Sequence, residues 1–129
     1  MSLRILIVDD EVKIRVGLVR LLTKRGFPSD QASSVAEAKA MLAEKPYDAV
    51  LLDWQLSDGT GLDVCRIIRQ LYPSLHVIML TARDESSDRM RAFDAGVDDY
   101  LVKQNVDMEE IGARLRAVAR RRTISPRSA

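Results

Sequence analysis

Three short apolar runs set the rhythm of this chain. Leu3 to Val8 is interrupted only by Arg4 and stops at Asp9, Asp10 and Glu11; Ala49 to Leu52 stops at Asp53, and Val77 to Leu80 stops at Thr81. Short apolar runs without alternation predict strands buried on both faces. Between them the apolar positions fall three and four apart. Ile14, Leu18, Leu21 and Leu22 share one stripe, Leu62, Cys65 and Ile68 a second, and Met108, Ile111, Leu115 and Val118 a third. That spacing predicts helices with one face turned inward. Gly26 to Pro28 closes the first helix, Ser33 or Ser34 caps the second, Pro46 ends it, and Asp58 to Gly61 breaks the chain before the third.

The predicted strands lie near 3–8, 28–32, 47–53, 76–81 and 99–102, and the helices near 11–25, 34–44, 60–71, 85–95 and 106–121. Five βα repeats with short connections predict an α/β fold with right-handed crossovers. At this size that means a flavodoxin-like (βα)5 three-layer sandwich around a parallel five-stranded sheet of order 2-1-3-4-5.

Composition narrows the class. The 129 residues are 47% apolar, 30% charged and only 5% aromatic, with 20 basic and 19 acidic side chains for a net charge of +1. One domain of ordinary size is expected, and a uniformly basic nucleic-acid binder is excluded. The charge is uneven: four arginines and no acid follow from Arg120 onward, leaving an excess of three acids before it. Residues 1–122 are therefore expected to form the domain, and 123–129, with Pro126 opposing a helix, a linker or disordered tail without an output domain. No apolar run reaches the roughly 18 residues of a membrane span, and nothing resembles a signal peptide, so no membrane partner is expected. The single cysteine, Cys65, rules out an internal disulfide framework and suits a reducing cytoplasm.

In a sheet of this topology ligands collect beyond the carboxyl ends of the strands. Asp9 and Asp10 follow the first predicted strand, Asp53 the third, Thr81 ends the fourth, and Lys103 follows the fifth. Strands one and three are neighbours in the predicted order, so the three carboxylates converge. Such a cluster is driven toward protonation unless a cation is supplied, and Mg²⁺ suits hard oxygen ligands. Mg²⁺ would also neutralise a phosphoryl group arriving at Asp53, with Lys103 and the Thr81 hydroxyl on the remaining oxygens. The constellation reads as a phosphoryl-acceptor site.

The motifs Leu6-Ile7-Val8-Asp9-Asp10-Glu11, Asp53 followed by Asp58-Gly59-Thr60-Gly61-Leu62, Leu80-Thr81-Ala82 and Asp98-Asp99-Tyr100-Leu101-Val102-Lys103 resemble the receiver domain of bacterial two-component response regulators. The resemblance runs from about Leu3 to Arg121. It implies that Asp53 accepts a phosphoryl group from a sensor histidine kinase, a phosphotransfer protein or a small phosphodonor. It further implies Asp9, Asp10, Asp53 and Gln55, the last through its carbonyl, as ligands of Mg²⁺, for which Mn²⁺ can substitute. Thr81, Ala82 and Lys103 would contact the phosphoryl group, and Thr81 and Tyr100 would form the switch pair.

The same resemblance extends to a mixed-charge face of Arg89, Arg91, Asp94, Asp98, Asp99, Glu110 and Arg114, through which winged-helix regulators form phosphorylation-dependent homodimers. It implies a signalling switch that assists its own phosphorylation and dephosphorylation and controls transcription or a partner, reaching DNA only through an output domain beyond these residues. Gln104 and Ser57 stand where the family usually has proline.

Other residues carry plainer expectations. Trp54 is expected as a partly exposed flank, Cys65 as a buried thiol, and His76 as the start of a strand near the surface. Gln55 and Arg83, each two residues beyond Asp53 and Thr81, are expected to border an attacking water. Two competing readings are weaker. A phosphohydrolase of the haloacid-dehalogenase type needs a second Asp where Gln55 stands, and an FMN carrier needs a Ser-, Thr- and Gly-rich first loop where Asp9, Asp10 and Glu11 would repel phosphate.

Overall fold

A computed structural model describes residues 3–124. In chain order the elements are β1 (Ile5–Val8), α1 (Val12–Lys24), β2 (Ser29–Ala32), α2 (Val35–Glu44), β3 (Ala49–Leu52), β4 (Gln55–Leu56), β5 (Gly59–Thr60), α3 (Gly61–Leu71), β6 (His76–Thr81), α4 (Ser86–Ala95), β7 (Asp99–Val102) and α5 (Met108–Ile124). The main sheet is parallel, in the order β2-β1-β3-β6-β7, which is the expected 2-1-3-4-5 when only its own strands are counted.

Both faces of the sheet are covered, as the unbroken apolar runs require. Leu6, Val8, Val50, Leu52, Val77 and Met79 point to one face and pack with Ala38 and Leu42 of α2, Val64, Cys65 and Ile68 of α3, and Ala92 of α4. Ile5, Ile7, Ala49, Leu51, Ile78 and Leu80 point to the other and pack with Leu18 and Leu22 of α1 and Ile111, Leu115 and Val118 of α5. The period-two alternation of a strand splits each run between two cores.

Helix ends follow local chemistry. The Ser34 side chain accepts from the Glu37 N–H at the start of α2. Thr60 and Asp63 form a reciprocal capping box at the start of α3, and Gly96, at φ 113°, closes α4 in the left-handed region that favours glycine.

Several expectations are corrected. Leu21, assigned to the inward stripe of α1, is 37% exposed, because the helix turns its Leu18–Leu22 ridge to the sheet. β4 and β5 form a two-stranded antiparallel hairpin in a stretch that gives no strand signal, being too short for periodicity. α5 runs to Ile124, past its expected end near 121, and the expected linker lies outside the described residues from residue 125 onward. All peptide bonds are trans among the described residues, so the Lys103–Gln104 junction is trans. Among these residues no helix is long and apolar enough to cross a membrane.

Away from the strand ends that carry Asp9 and Asp53, a depression of about 450 Å³ opens between Leu3–Ile5 and Pro28–Asp30. Its charges are matched locally: Asp30 accepts from the Tyr47 hydroxyl at 2.7 Å and pairs with Lys45 at 3.4 Å. The Tyr47 hydroxyl, followed by Lys45, holds the Asp30 carboxyl below its ordinary value of 3.8. A depressed carboxyl contributes stability above its unfolded pKa and loses it as pH falls through the folded value. Tyr47→Phe is therefore expected to cost about 1 kcal/mol at pH 7, and the gap to the wild type should close as the pH is lowered below about 4. Urea unfolding of both proteins across pH 2–7 measures it.

Candidate functional site

The site is assembled by strand register. Val8 pairs with Leu52, and Thr81 with Val102, so the residues immediately after these strands emerge side by side. Their amides continue the ladder: Asp9 N–H donates to the Ala32 carbonyl at 3.1 Å, Asp53 N–H to Val8 at 2.9 Å, and Lys103 N–H to Thr81 at 2.8 Å. Asp9, Asp53 and Lys103 thus leave the sheet from rigid backbone and not from free loops.

Their side chains meet. Lys103 Nζ lies 3.0 Å from Asp9 Oδ2 and 3.1 Å from Asp53 Oδ2. Asp9 and Asp53 are buried, at 2% and 8% exposure, while Asp10 is exposed beside them. The remaining carboxylate oxygens are met by backbone: Glu11 N–H donates to Asp9 Oδ1 at 2.9 Å and Trp54 N–H to Asp53 Oδ1 at 2.7 Å. Burial pushes the Asp9 carboxyl above its ordinary value, against the Glu11 N–H and the Lys103 ammonium, which favour the charged form. Burial also works against the Lys103 ammonium, but the Asp53 and Asp9 carboxylates outweigh it and raise its pKa.

Asp9, Asp10 and Asp53 each offer an oxygen within 4.8 Å of the other two. An all-carboxylate set is the donor chemistry of a hard divalent cation such as Mg²⁺, so the residues present fit that ion. A cavity of about 430 Å³ opens onto Asp53, lined also by Gln55, Thr81, Ala82, Arg83 and Lys103. Thr81 is buried and its Oγ1 accepts from the Arg83 N–H at 3.4 Å. Tyr100 is buried as well, its hydroxyl donating to the Arg83 carbonyl at 2.8 Å.

Gln55 is exposed and opens β4, opposite Thr60. The mixed-charge residues Arg89, Arg91, Asp94, Asp98, Asp99, Glu110 and Arg114 lie on α4, β7, α5 and the segment before β7, and several pair within the chain. Arg114 binds Asp99 at 2.8 Å and Glu110 at 3.5 Å, and Asp98 binds Arg69 at 2.7 Å.

Trp54 is corrected from a partly exposed flank to a buried side chain, 2% exposed and packed with Leu56, Leu62 and the rest of the core on the α2–α3–α4 face. The groups that cover its ring, Arg83 and Arg91, lie about thirty or more residues further along the chain, so local pattern carried no signal for its burial. Cys65 is buried and His76 begins β6, as expected. The role of Gly61 was also hidden in the sequence. Its N–H donates to the Trp54 carbonyl at 2.6 Å, and a Cβ there would overlap the Asp53 carbonyl.

Residues 5–116 match the family described as response regulator receiver domain. Among curated relatives, response regulator MprA of Mycobacterium ulcerans (strain Agy99) is 43% identical over 121 residues, covering 94% of this chain and 52% of the relative. The chain spans about half the length of the curated relatives it matches. Among solved structures, a two-component response regulator from Clostridium difficile superposes with a TM-score of 0.88 at 30% identity, over 96% of this chain and 100% of that one. The BeF3-activated N-terminal receiver domain of Klebsiella pneumoniae RstA gives 0.85 at 25% identity, over 91% and 98%.

The close approach at Gly61 makes a direct prediction. Gly61→Ala is expected to lower stability by about 1–3 kcal/mol, the usual cost of overpacking, and to displace the Asp53–Trp54 backbone. Urea unfolding and amide chemical shifts of residues 53 and 54 report the two effects.

Proposed function

Because the chain belongs to the response regulator receiver domain family, whose members are signalling switches, we propose that it is switched by a phosphoryl group carried on Asp53. The observation that supports this most directly is the convergence of Asp9, Asp10, Asp53 and Lys103 at the mouth of one cavity. In the proposed step an Asp53 carboxylate oxygen attacks phosphorus on a phosphohistidine of a sensor kinase or phosphotransfer protein. The O–P bond forms as the P–N bond breaks, the bonding pair stays on the imidazole nitrogen, and the protonated ring leaves as neutral imidazole. A small phosphodonor would serve with an oxygen or amine leaving group.

Asp9, Asp10, Asp53 and the Gln55 carbonyl would hold Mg²⁺, or Mn²⁺ in its place. When bound, the ion supplies charge neutralisation for the acceptor and the phosphoryl oxygens. The chain's own residues do the rest. Lys103, a point charge already 3.1 Å from Asp53 Oδ2, binds a phosphoryl oxygen, and the Thr81 hydroxyl and Ala82 N–H reach the others. Phosphorylation raises the negative charge at Asp53 from one to about two and adds strong acceptors. Thr81 moves toward them and gives up its bond from Arg83, and the ring of Tyr100, buried beside it, moves inward into the space that Thr81 vacates. The domain assists both attachment and loss of its own phosphoryl group through these contacts, with Gln55 and Arg83 bordering the attacking water.

The receiver unit in this reading runs to the end of α5 at Ile124, two residues past the expected boundary at 122, and a linker follows it. The output, transcription being the favoured one, belongs to a longer protein, and DNA is reached only there. Phosphorylation would favour a homodimer through Arg89, Arg91, Asp94, Asp98, Asp99, Glu110 and Arg114, whose intrachain pairs can be exchanged for pairs with a second copy.

Two measurements test this reading. Incubation with a phosphorylated kinase domain or a small phosphodonor in Mg²⁺ is expected to yield a phosphoprotein that hydroxylamine cleaves. Asp53→Asn or chelation should abolish it, and persistence of the label in Asp53→Asn would sink the assignment. Sedimentation with beryllofluoride and Mg²⁺ is expected to shift the chain from monomer to dimer at micromolar concentration; a monomer throughout overturns the proposed face.

A further inference from the structure

A pair of arginines, one on α4 and one on the segment before it, lies against the acceptor loop without joining the carboxylate cluster. Two guanidinium groups cover the Trp54 ring, Arg83 Cζ at 4.7 Å from its centroid and Arg91 Cζ at 5.3 Å. A guanidinium within about 6 Å of an indole face is attracted by the ring quadrupole. Two cations over one ring repel each other, and that repulsion is offset by a shared carboxylate. Asp88 lies 3.5 Å from Arg83 and 4.0 Å from Arg91 and is itself buried.

The main chain of Arg83 is engaged too. Its N–H donates to Thr81 Oγ1, and its carbonyl accepts the Tyr100 hydroxyl. One residue therefore touches the neighbour of Asp53 with its side chain and both proposed switch residues with its backbone. A buried Tyr100 hydroxyl needs that acceptor, because a buried polar group without a partner is costly. The segment 82–85 is otherwise exposed, and Glu85 provides no side-chain cap to α4. The stack of its own side chain on Trp54 is the anchor that Arg83 itself supplies for its carbonyl.

We propose that Arg83 is a positioning residue of the switch: stacked on Trp54 and tied to Asp88, it holds the segment after β6 where its carbonyl captures the inward Tyr100. This rests on the phosphoacceptor reading and adds the element that links Asp53 to Tyr100. Arg91 supports the clamp from α4. Arg89, whose Cζ is 5.1 Å from the Tyr100 ring centroid and which pairs with Asp84 at 2.9 Å, holds the same segment over the tyrosine. The clamp is a two-state element: docked, it favours Tyr100 inside; released, it removes the hydroxyl's acceptor.

The test titrates the 129-residue chain with beryllofluoride in Mg²⁺, read by fluorine NMR so that the signal does not depend on the indole. Arg83→Ala and Asp88→Asn are each expected to weaken binding about three- to five-fold and to increase acrylamide quenching of Trp54. Tyr100→Phe should cost less in the Arg83→Ala background than in the wild type, because the acceptor of the hydroxyl is already displaced. Urea unfolding establishes that each variant is folded, and Asp88→Asn carries the same comparison if Arg83→Ala is not. Strict additivity with Tyr100→Phe, or unchanged binding with Trp54 newly accessible, overturns the clamp while binding that Asp53→Asn abolishes leaves the acceptor reading standing. A wild type that binds no beryllofluoride, or an Asp53→Asn variant that binds it equally, overturns the acceptor reading and the clamp with it.

Discussion

The Lys103 ammonium between Asp9 and Asp53 is the interaction on which the rest of this structure depends. Parallel register forces two carboxylates out of neighbouring strand ends, and both are buried. Two buried like charges repel and lose hydration at once, so the pair is costly unless a cation stands between them. Lys103 supplies it from the edge strand, three strands away from Asp9 in the sheet order, because Lys103 N–H is itself fixed to the Thr81 carbonyl. Backbone N–H groups of Glu11 and Trp54 take the outer oxygens, and among the described residues no buried side-chain nitrogen or oxygen lacks a partner. The cluster is thus satisfied yet held by a single ammonium group, a balance that a divalent ion or an added phosphoryl charge can shift.

Around this balance the structure fixes the acceptor's backbone. After Asp53 the chain folds through the β4–β5 hairpin and returns so closely that only glycine fits at position 61. The hairpin earns its place twice. Thr60 at its end opens α3 through the capping box, and Asp58 at its tip accepts from the Val35 and Ala36 N–H groups at 2.7 and 3.0 Å. Those two N–H groups hold the Asp58 carboxyl below its ordinary value. One short loop therefore ties the acceptor to two helices. Serine at position 57 is compatible with this hairpin, and the trans peptide before Gln104 is compatible with the Lys103 contacts. Departure from the family's prolines leaves the cluster intact because backbone ladders, and not those rings, set its geometry.

Much of the fold was legible because a doubly covered parallel sheet leaves a strong signature. Runs such as Ile5–Val8 and Ala49–Leu52 must be apolar at every position, and α3 and α5 must show one inward stripe. Element boundaries accordingly fell within a few residues of those predicted. Asp9, Asp53, Thr81 and Lys103 were legible for a related reason: polar residues that abruptly end apolar runs sit where such a sheet exposes its strand ends. The hairpin was not legible, since two-residue strands have no periodicity. Leu21 was misread because a leucine beside an apolar stripe satisfies the pattern whether or not the helix rotation buries it.

The sequence by itself determined the strand and helix order, the two-sided core, and the residue types delivered to one edge of the sheet. Each of these follows from local spacing along the chain. Only the tertiary structure decided that Lys103 bridges Asp9 and Asp53, that Gly61 presses on the acceptor's carbonyl, and that Trp54 is buried beneath Arg83 and Arg91. Those contacts join residues up to 94 positions apart. Their existence depends on register and helix rotation, which are set by packing the whole core at once and leave no trace in the spacing of any one segment.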